Sequence, residues 1–269
     1  MRDLVLAQSL QGEIIFACQA LKGAMIERIP YEVKILKSND VEELITLIQT
    51  LKINFLIIDH YEIDALYEQT IKEATGVTIL SFDDTYKAHH CDILLNHNLY
   101  ADAKRYENLV PKHCELRLGS PLIRDEFKEE KRQKREKIYD VLIAMGGSDS
   151  ANLTPKIIEA LPKALHIAIV TTTANAHLLA LQHYIEDKPN IALHINSSEV
   201  AKLLHQSRFM VTTPSVMVHE VLFMELPFIA IKVASNQDDM FHYLSQHNYP
   251  VLKEWNASSF AQLYHTYAH

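Results

Sequence analysis

The stretch VLIAMGGSDSANLTPKIIEAL (141–161) runs from a buried-strand pattern through two glycines into a helix pattern. Val141–Met145 is an unbroken apolar run, as expected of a strand covered on both faces. Gly146 and Gly147 let the backbone turn tightly and approach a ligand. Ser148, Asp149 and Ser150 then lead into the helix, whose unpaired N–H groups and positive dipole end suit a phosphate. No Gly-Lys-Ser/Thr follows the glycines, and their spacing is not G-x-G-x-x-G, so neither common phosphate-loop signature is present. A capped strand-to-helix turn without a ligand explains this stretch equally well. What it does define is a strand–turn–helix unit, and that unit recurs along the chain.

Downstream, further strand runs are IAIVTT (167–172), IALHIN (191–196), FMVTT (209–213) and PFIAIK (227–232), with helix patterns between them. Upstream lie EIIFAC (13–18), EVKILK (32–37), NFLIID (54–59), VTILSF (77–82) and DILLN (92–96). DVEELITLIQTLK (40–52) and DALYEQTIKEATG (64–76) read as helices between these strands, the second closed by Gly76. Buried strands alternating with helices predict an α/β fold with parallel sheets. RDEFKEEKRQKREK (124–137) carries both signs of charge at i,i+4 spacing and reads as a solvated helix at a domain joint. The expected organisation is two Rossmann-like domains, 1–130 and 131–269, with ligand sites beyond the carboxyl ends of the strands. The chain opens on MRDLVLAQSL, where Leu4, Val5, Ala7 and Leu10 share a helix face with no strand ahead of them.

The 269 residues are 48% hydrophobic and 22% charged, a globular balance. A net charge of −8 argues against nucleic acid or an anionic membrane as the principal partner, and leaves room for a nucleotide ligand. Cys18, Cys91 and Cys114 are odd in number and form no CxxC pair, which suggests a reduced, cytoplasmic protein. Neither a signal-peptide pattern nor an apolar run of about 18 residues appears.

Two more polar strand-to-helix turns follow the first. In VTTPSVMVHEVLF (211–223), Pro214 fits a first helical turn, Ser215 can expose its hydroxyl there, and Glu220 is placed to take both hydroxyls of a ribose or to lie on the surface. In SNQDDMFHYL (235–244), Asn236 or Ser235 caps the helix or reaches a ligand. Three such turns favour a nucleotide diphosphate, and no Asp-rich metal motif accompanies them, so no metal or cofactor is expected. In the first half, IIDHYEID (57–64) ends a strand in Asp59, His60 and Tyr61, and LSFDDTY (80–86) ends the next in Asp83 and Asp84. The carboxylate pair fits acid–base work or helix capping. HHCDILLNHN (89–98) gathers His89, His90, Cys91 and His97, a weak zinc pattern because a strand separates His97 from the others.

Together, RDLVLA, LIIDHY, TILSFDD, HHCDILLN, LIRDEF, MGGSD and SNQ resemble the UDP-2,4-diacetamido-2,4,6-trideoxy-β-L-altropyranose hydrolase family of pseudaminic acid biosynthesis, from Arg2 to about Tyr249. The resemblance implies a two-domain fold like that of the GT-B glycosyltransferases, with the active site in the interdomain cleft. It implies hydrolysis of a UDP-sugar at the anomeric carbon, with inversion and without metal, in the service of flagellin glycosylation. UDP would be held by the second domain through Gly146, Gly147, Ser148, Ser215, Glu220 and Asn236. Tyr61 falls where the family has an active-site tyrosine, and Asp83, Asp84 and Arg124 are the expected substrate-binding residues. In the family, a strand and a Gly-x-Gly-His loop carrying the catalytic histidine precede RDLVLA. The resemblance therefore implies that this first strand and histidine are missing from the chain, which would be nearly inactive. The rival readings are a GT-B glycosyltransferase with a UDP-sugar donor and a UDP-sugar-binding protein without turnover.

Overall fold

The computed structural model describes residues 2–21 and 26–268 and divides into two compact units, Met1–Leu122 and Ile123–His269. The division lies ahead of the expected joint at 130. The charged stretch belongs wholly to the second unit because it is not fully solvated. Phe127 is completely buried, and the Glu130 carboxylate accepts from Arg135 Nε at 2.6 Å and lies 3.2 Å from His205 Nδ1.

The first unit contains α1 (Arg2–Ala7), β1 (Ile15–Gln19), β2 (Glu32–Leu36), α2 (Val41–Leu51), β3 (Phe55–Ile58), α3 (Ala65–Thr75), β4 (Thr78–Phe82), β5 (Ile93–Asn96) and β6 (Glu115–Leu118). Strands β3, β4, β5 and β6 form one parallel sheet in chain order. Strands β1 and β2 form a separate parallel pair, and among the described residues no ladder joins it to the larger sheet. The larger sheet is covered on both faces. Leu44 and Ile48 of α2 and Ile71 of α3 pack with Ile58, Ile79 and Leu94 on one side. Leu6 of α1 joins Leu80, Phe82 and Leu95 on the other. This double cover is why the strand runs carry so little polar alternation. Asp64 caps α3 by accepting from Tyr67 N–H, and Gly76 closes it at φ 69°, as the sequence predicts. The register pairs Ile58 with Ser81 and Phe82 with Leu95, so the carboxyl ends of β3, β4 and β5 form one rim.

The second unit contains α4 (Asp125–Lys131), β7 (Tyr139–Ala144), α5 (Thr154–Ala160), β8 (Ile167–Thr171), α6 (Leu178–Ile185), β9 (Ile191–Ile195), α7 (Val200–His205), β10 (Ser207–Thr212), α8 (Met217–Phe223), β11 (Phe228–Ile231), α9 (Asp238–Gln246), β12 (Val251–Leu252) and α10 (Ala257–Tyr267). Its sheet runs β12-β11-β10-β7-β8-β9, all parallel. The chain builds outward from β7 to β9 and then returns to β7's other side to build outward again. Val141, Leu142 and Ile143 of the central strand are fully buried. Two short strands, β6 and β12, are additional to those expected from the sequence.

Candidate active site

In the second unit, the order of the strands reverses between β7 and β10. Open α/β sheets bind ligands at such a reversal, outside the carboxyl ends of the strands. Thr212 Oγ1 donates to the Ala144 carbonyl at 3.0 Å and ties the two strand ends together there.

Beyond β7, Gly146 takes φ 77°, a left-handed value that favours glycine. A Cβ on Gly147 would lie 3.1 Å from Thr172 Oγ1. The Gly147 carbonyl accepts from Thr172 N–H at 3.2 Å and from Thr172 Oγ1 at 2.9 Å, which pins the turn to the end of β8. The expectation that Ser148 stands at a helix N-terminus is corrected. Helix α5 begins only at Thr154. Buried Asp149 takes the Leu153 and Thr154 amides at 2.9 and 3.1 Å, so the dipole end is already capped by a carboxylate. The Gly146–Ser148 turn itself is exposed.

Across the reversal, Ser215 is likewise ahead of its helix, which starts at Met217. Its hydroxyl accepts from Thr213 Oγ1 at 3.2 Å. Glu220 is not a surface residue: it is 8% exposed. Arg124 grips both of its oxygens, Nε to Oε1 at 2.6 Å and Nη2 to Oε2 at 3.0 Å. Arg124 Nη1 also lies 2.6 Å from Glu126 Oε1. Burial pushes the Glu220 carboxyl above its ordinary range, against the pull of the guanidinium. Asn236 is exposed on the short turn Ser235–Gln237. The turn is held by Gln237, whose Oε1 accepts from Val233 N–H at 2.8 Å and Ala234 N–H at 3.3 Å, so neither Ser235 nor Asn236 does the capping.

In the first unit, the rim residues divide into two groups. Asp84 and Asp59 face Arg2. The Arg2 guanidinium donates from Nη2 and Nε to Asp59 at 2.6 and 3.0 Å and from Nη1 to Asp84 Oδ2 at 2.7 Å. Tyr61 OH donates to the same Asp84 oxygen at 3.2 Å. Asp83, expected to bind substrate, turns inward instead. It is 4% exposed and accepts from Thr85 N–H at 2.9 Å and Thr85 Oγ1 at 2.7 Å. Its inward position places it 4.0 Å from His89 Nε2, while His89 Nδ1 lies 2.8 Å from Glu68 Oε1. Burial pulls the imidazole's pKa down, but the two carboxylates outweigh it and raise it to about 9. Glu68 also accepts from Ser81 Oγ at 2.6 Å and from the His90 amide.

This network consumes His89, and Cys91 Sγ sits 3.7 Å from Cys114 Sγ. Among the described residues no three His, Cys, Asp or Glu side chains are grouped to hold a metal ion, so the four residues weighed as a zinc site are not assembled into one. Sequence reasoning passed over Arg2 as a site residue, and Glu68 altogether. The signal for Glu68 was available: it falls three residues before Ile71 on the buried stripe of α3, where an unpaired charge is costly.

No protein-family model matches the chain. Among solved structures, MurG from Acinetobacter baumannii superposes with a TM-score of 0.65 at 12% identity, covering 98% of this chain and 86% of that one. The UDP-GlcNAc 2-epimerase from Neisseria meningitidis, bound to UDP-GlcNAc, gives a TM-score of 0.64 at 10% identity over 99% of this chain and 87% of that one. These likenesses show a GT-B-like fold of two Rossmann-like domains. The UDP-2,4-diacetamido-2,4,6-trideoxy-β-L-altropyranose hydrolase of Campylobacter jejuni is 45% identical over 252 residues, spanning 93% of this chain and 92% of that protein. Identity at that level over nearly the whole of both chains means that this protein belongs to the UDP-2,4-diacetamido-2,4,6-trideoxy-β-L-altropyranose hydrolase family.

Proposed function

We propose that this protein hydrolyses a UDP-linked 2,4-diacetamido-2,4,6-trideoxy sugar at its anomeric carbon, releasing UDP and the free sugar. The reading is carried by the 45% identity to the Campylobacter jejuni hydrolase. It extends to cytoplasmic pseudaminic acid biosynthesis for flagellin glycosylation. Among the described residues no helix is long and apolar enough to cross a membrane, and the partner is a small nucleotide-sugar rather than nucleic acid.

In this reading UDP is held by the second unit. The exposed Gly146–Gly147–Ser148 turn and Ser215 face the diphosphate, Asn236 offers its amide, and Glu220 takes the ribose hydroxyls. Arg124 fixes the Glu220 carboxylate from one side, and each oxygen retains lone-pair capacity for a ligand hydroxyl. UDP leaves as a stable anion, so the protein needs donors to the diphosphate more than a strong general acid. The anomeric carbon becomes cationic as the bond to UDP breaks, and water attacks from the opposite face with inversion. The first unit supplies the sugar side, where Tyr61 and Asp84 orient the reacting groups.

Calorimetric titration of UDP in the presence of EDTA is expected to show saturable binding without metal. Glu220→Ala and Asn236→Ala should each weaken it by about 1–3 kcal/mol, the cost of losing a partner to a buried polar group. Absence of binding, or binding only with magnesium, would contradict the reading.

A further inference from the structure

The Arg2 cluster on the rim of the first unit has a specific internal order. Arg2 stands between two carboxylates, Asp59 at 2.6 Å and Asp84 at 2.7 Å, with its guanidinium 5.1 Å above the Phe82 ring. It offsets the repulsion between them and so fixes where Asp84 Oδ2 stands. That single oxygen also receives the Tyr61 hydroxyl proton. The other Asp84 oxygen is buried and without a hydrogen-bond partner, so Oδ2 carries the whole interaction. Lys87 Nζ donates to the Tyr61 carbonyl at 2.9 Å and holds the backbone of the same residue. The Tyr61 residue itself remains 59% exposed.

A tyrosine hydroxyl has one proton and two lone pairs. With the proton committed to Asp84, the oxygen can only accept from anything arriving at the open side. We propose that Arg2 and Asp84 are positioning residues that present Tyr61 Oη as a hydrogen-bond acceptor, selecting a donor on the sugar side of the ligand, either an acetamido N–H or a hydroxyl. Burial and the Asp84 charge raise the Tyr61 pKa against the opposing pull of Arg2, so the phenol keeps its proton in this role. The inference rests on the hydrolase reading only in taking a UDP-sugar as the ligand.

Because one oxygen of Asp84 serves both Arg2 and Tyr61, an asparagine could keep it in place, so the variant used is Asp84→Ala. In Asp84→Ala the tyrosine proton has no carboxylate to point at, and the hydroxyl is no longer held with its lone pairs outward. The test is a double-mutant cycle of Asp84→Ala and Tyr61→Phe in the full chain. It is read on kcat/KM for sugar release and on the ratio of calorimetric affinities for the UDP-sugar and for UDP. Each single variant should lower the UDP-sugar readout by about tenfold, the worth of one hydrogen bond, with UDP affinity unchanged. The double variant should be no worse than Tyr61→Phe alone. Losses that multiply in the double variant, or an Asp84→Ala protein indistinguishable from wild type, would overturn the proposal. Should Asp84→Ala fail to fold, Arg2→Lys paired with Tyr61→Phe runs the same cycle, because a lysine keeps the charge without the fork that reaches both carboxylates. If the wild-type chain binds the UDP-sugar but releases no sugar, the hydrolase reading fails while the affinity ratio still decides the role of Tyr61.

Discussion

Replacing Glu68 by alanine is expected to destabilise the first unit by about 3–5 kcal/mol, the usual cost of breaking a buried ionic group on one side only. Glu68 is fully buried and serves three donors at once: Ser81 Oγ, His89 Nδ1 and the His90 amide. Its loss leaves these donors without their acceptor and leaves the His89 charge facing only Asp83, 4.0 Å away. Against a typical total stability of about 5–15 kcal/mol, that is a large fraction. Glu68→Gln keeps the volume and one acceptor and should cost less. The same network gives the wild-type protein a pH signature. His89 titrates near 9 in the folded state, against 6.5 for an unperturbed histidine. Its contribution is therefore fully present below 6.5 and is lost as pH rises through 9, with an amplitude on the order of 3 kcal/mol. Asp83, held well below the ordinary carboxylate range despite its burial, contributes in the opposite sense and is lost only in strong acid. Urea midpoints between pH 6 and 10 should fall for the wild type. In Glu68→Ala, where the main partner of His89 is gone, the slope should be much reduced. An equal slope in both would show that His89 is not the group responsible.

Arg124→Ala should produce the second large effect, in the second unit. It strands the Glu220 carboxylate, which is 8% exposed, without its bidentate partner. A loss of about 3 kcal/mol is expected near pH 8. Burial already raises the folded-state pKa of Glu220 above 4.5, and removing the guanidinium raises it further. A folded protein that binds a proton more tightly than the unfolded chain loses stability as pH rises through the interval between the two pKa values. The deficit of Arg124→Ala should therefore be smaller at pH 5 than at pH 8. Replacing both residues together, Arg124→Met with Glu220→Gln, should recover most of the stability, since the charge at position 220 is no longer left buried. UDP affinity should stay low in the double variant, because the proposed ribose contact is gone. Recovery of UDP affinity along with stability would assign the pair a purely structural role.

Much of this architecture is readable in the chain because strands buried on both faces announce themselves as short apolar runs. Strands β3, β4, β5, β7, β8, β10 and β11 all read as such apolar runs. Strand β6 does not: Glu115 and Arg117 alternate with Leu116 and Leu118 on an edge strand with exposed polar positions. The rim was legible as a set of polar strand ends, but the division of labour within it was not. Asp83 and Asp84 are neighbours of identical chemistry, and only the fold turns one inward to Thr85 and His89 and the other toward Arg2. Arg2 meets partners 57 and 82 residues away, a distance at which no local pattern operates. At the second-unit turns, the sequence placed Ser148 at a helix N-terminus and offered Ser235 or Asn236 as a cap, whereas the Asp149 carboxylate takes the amides ahead of α5 and Gln237 holds the other turn. Capping geometry is set by backbone dihedrals rather than by residue type alone.

The central claim is tested most directly by incubating the protein with the UDP-linked 2,4-diacetamido-2,4,6-trideoxy sugar, in EDTA and with no sugar acceptor, while following the anomeric protons by NMR. The account predicts that UDP and free sugar appear in equal amounts, however slowly, with the first-formed anomer opposite in configuration to the substrate. UDP released only when an acceptor sugar is added, or free sugar first formed with the configuration retained, would contradict it.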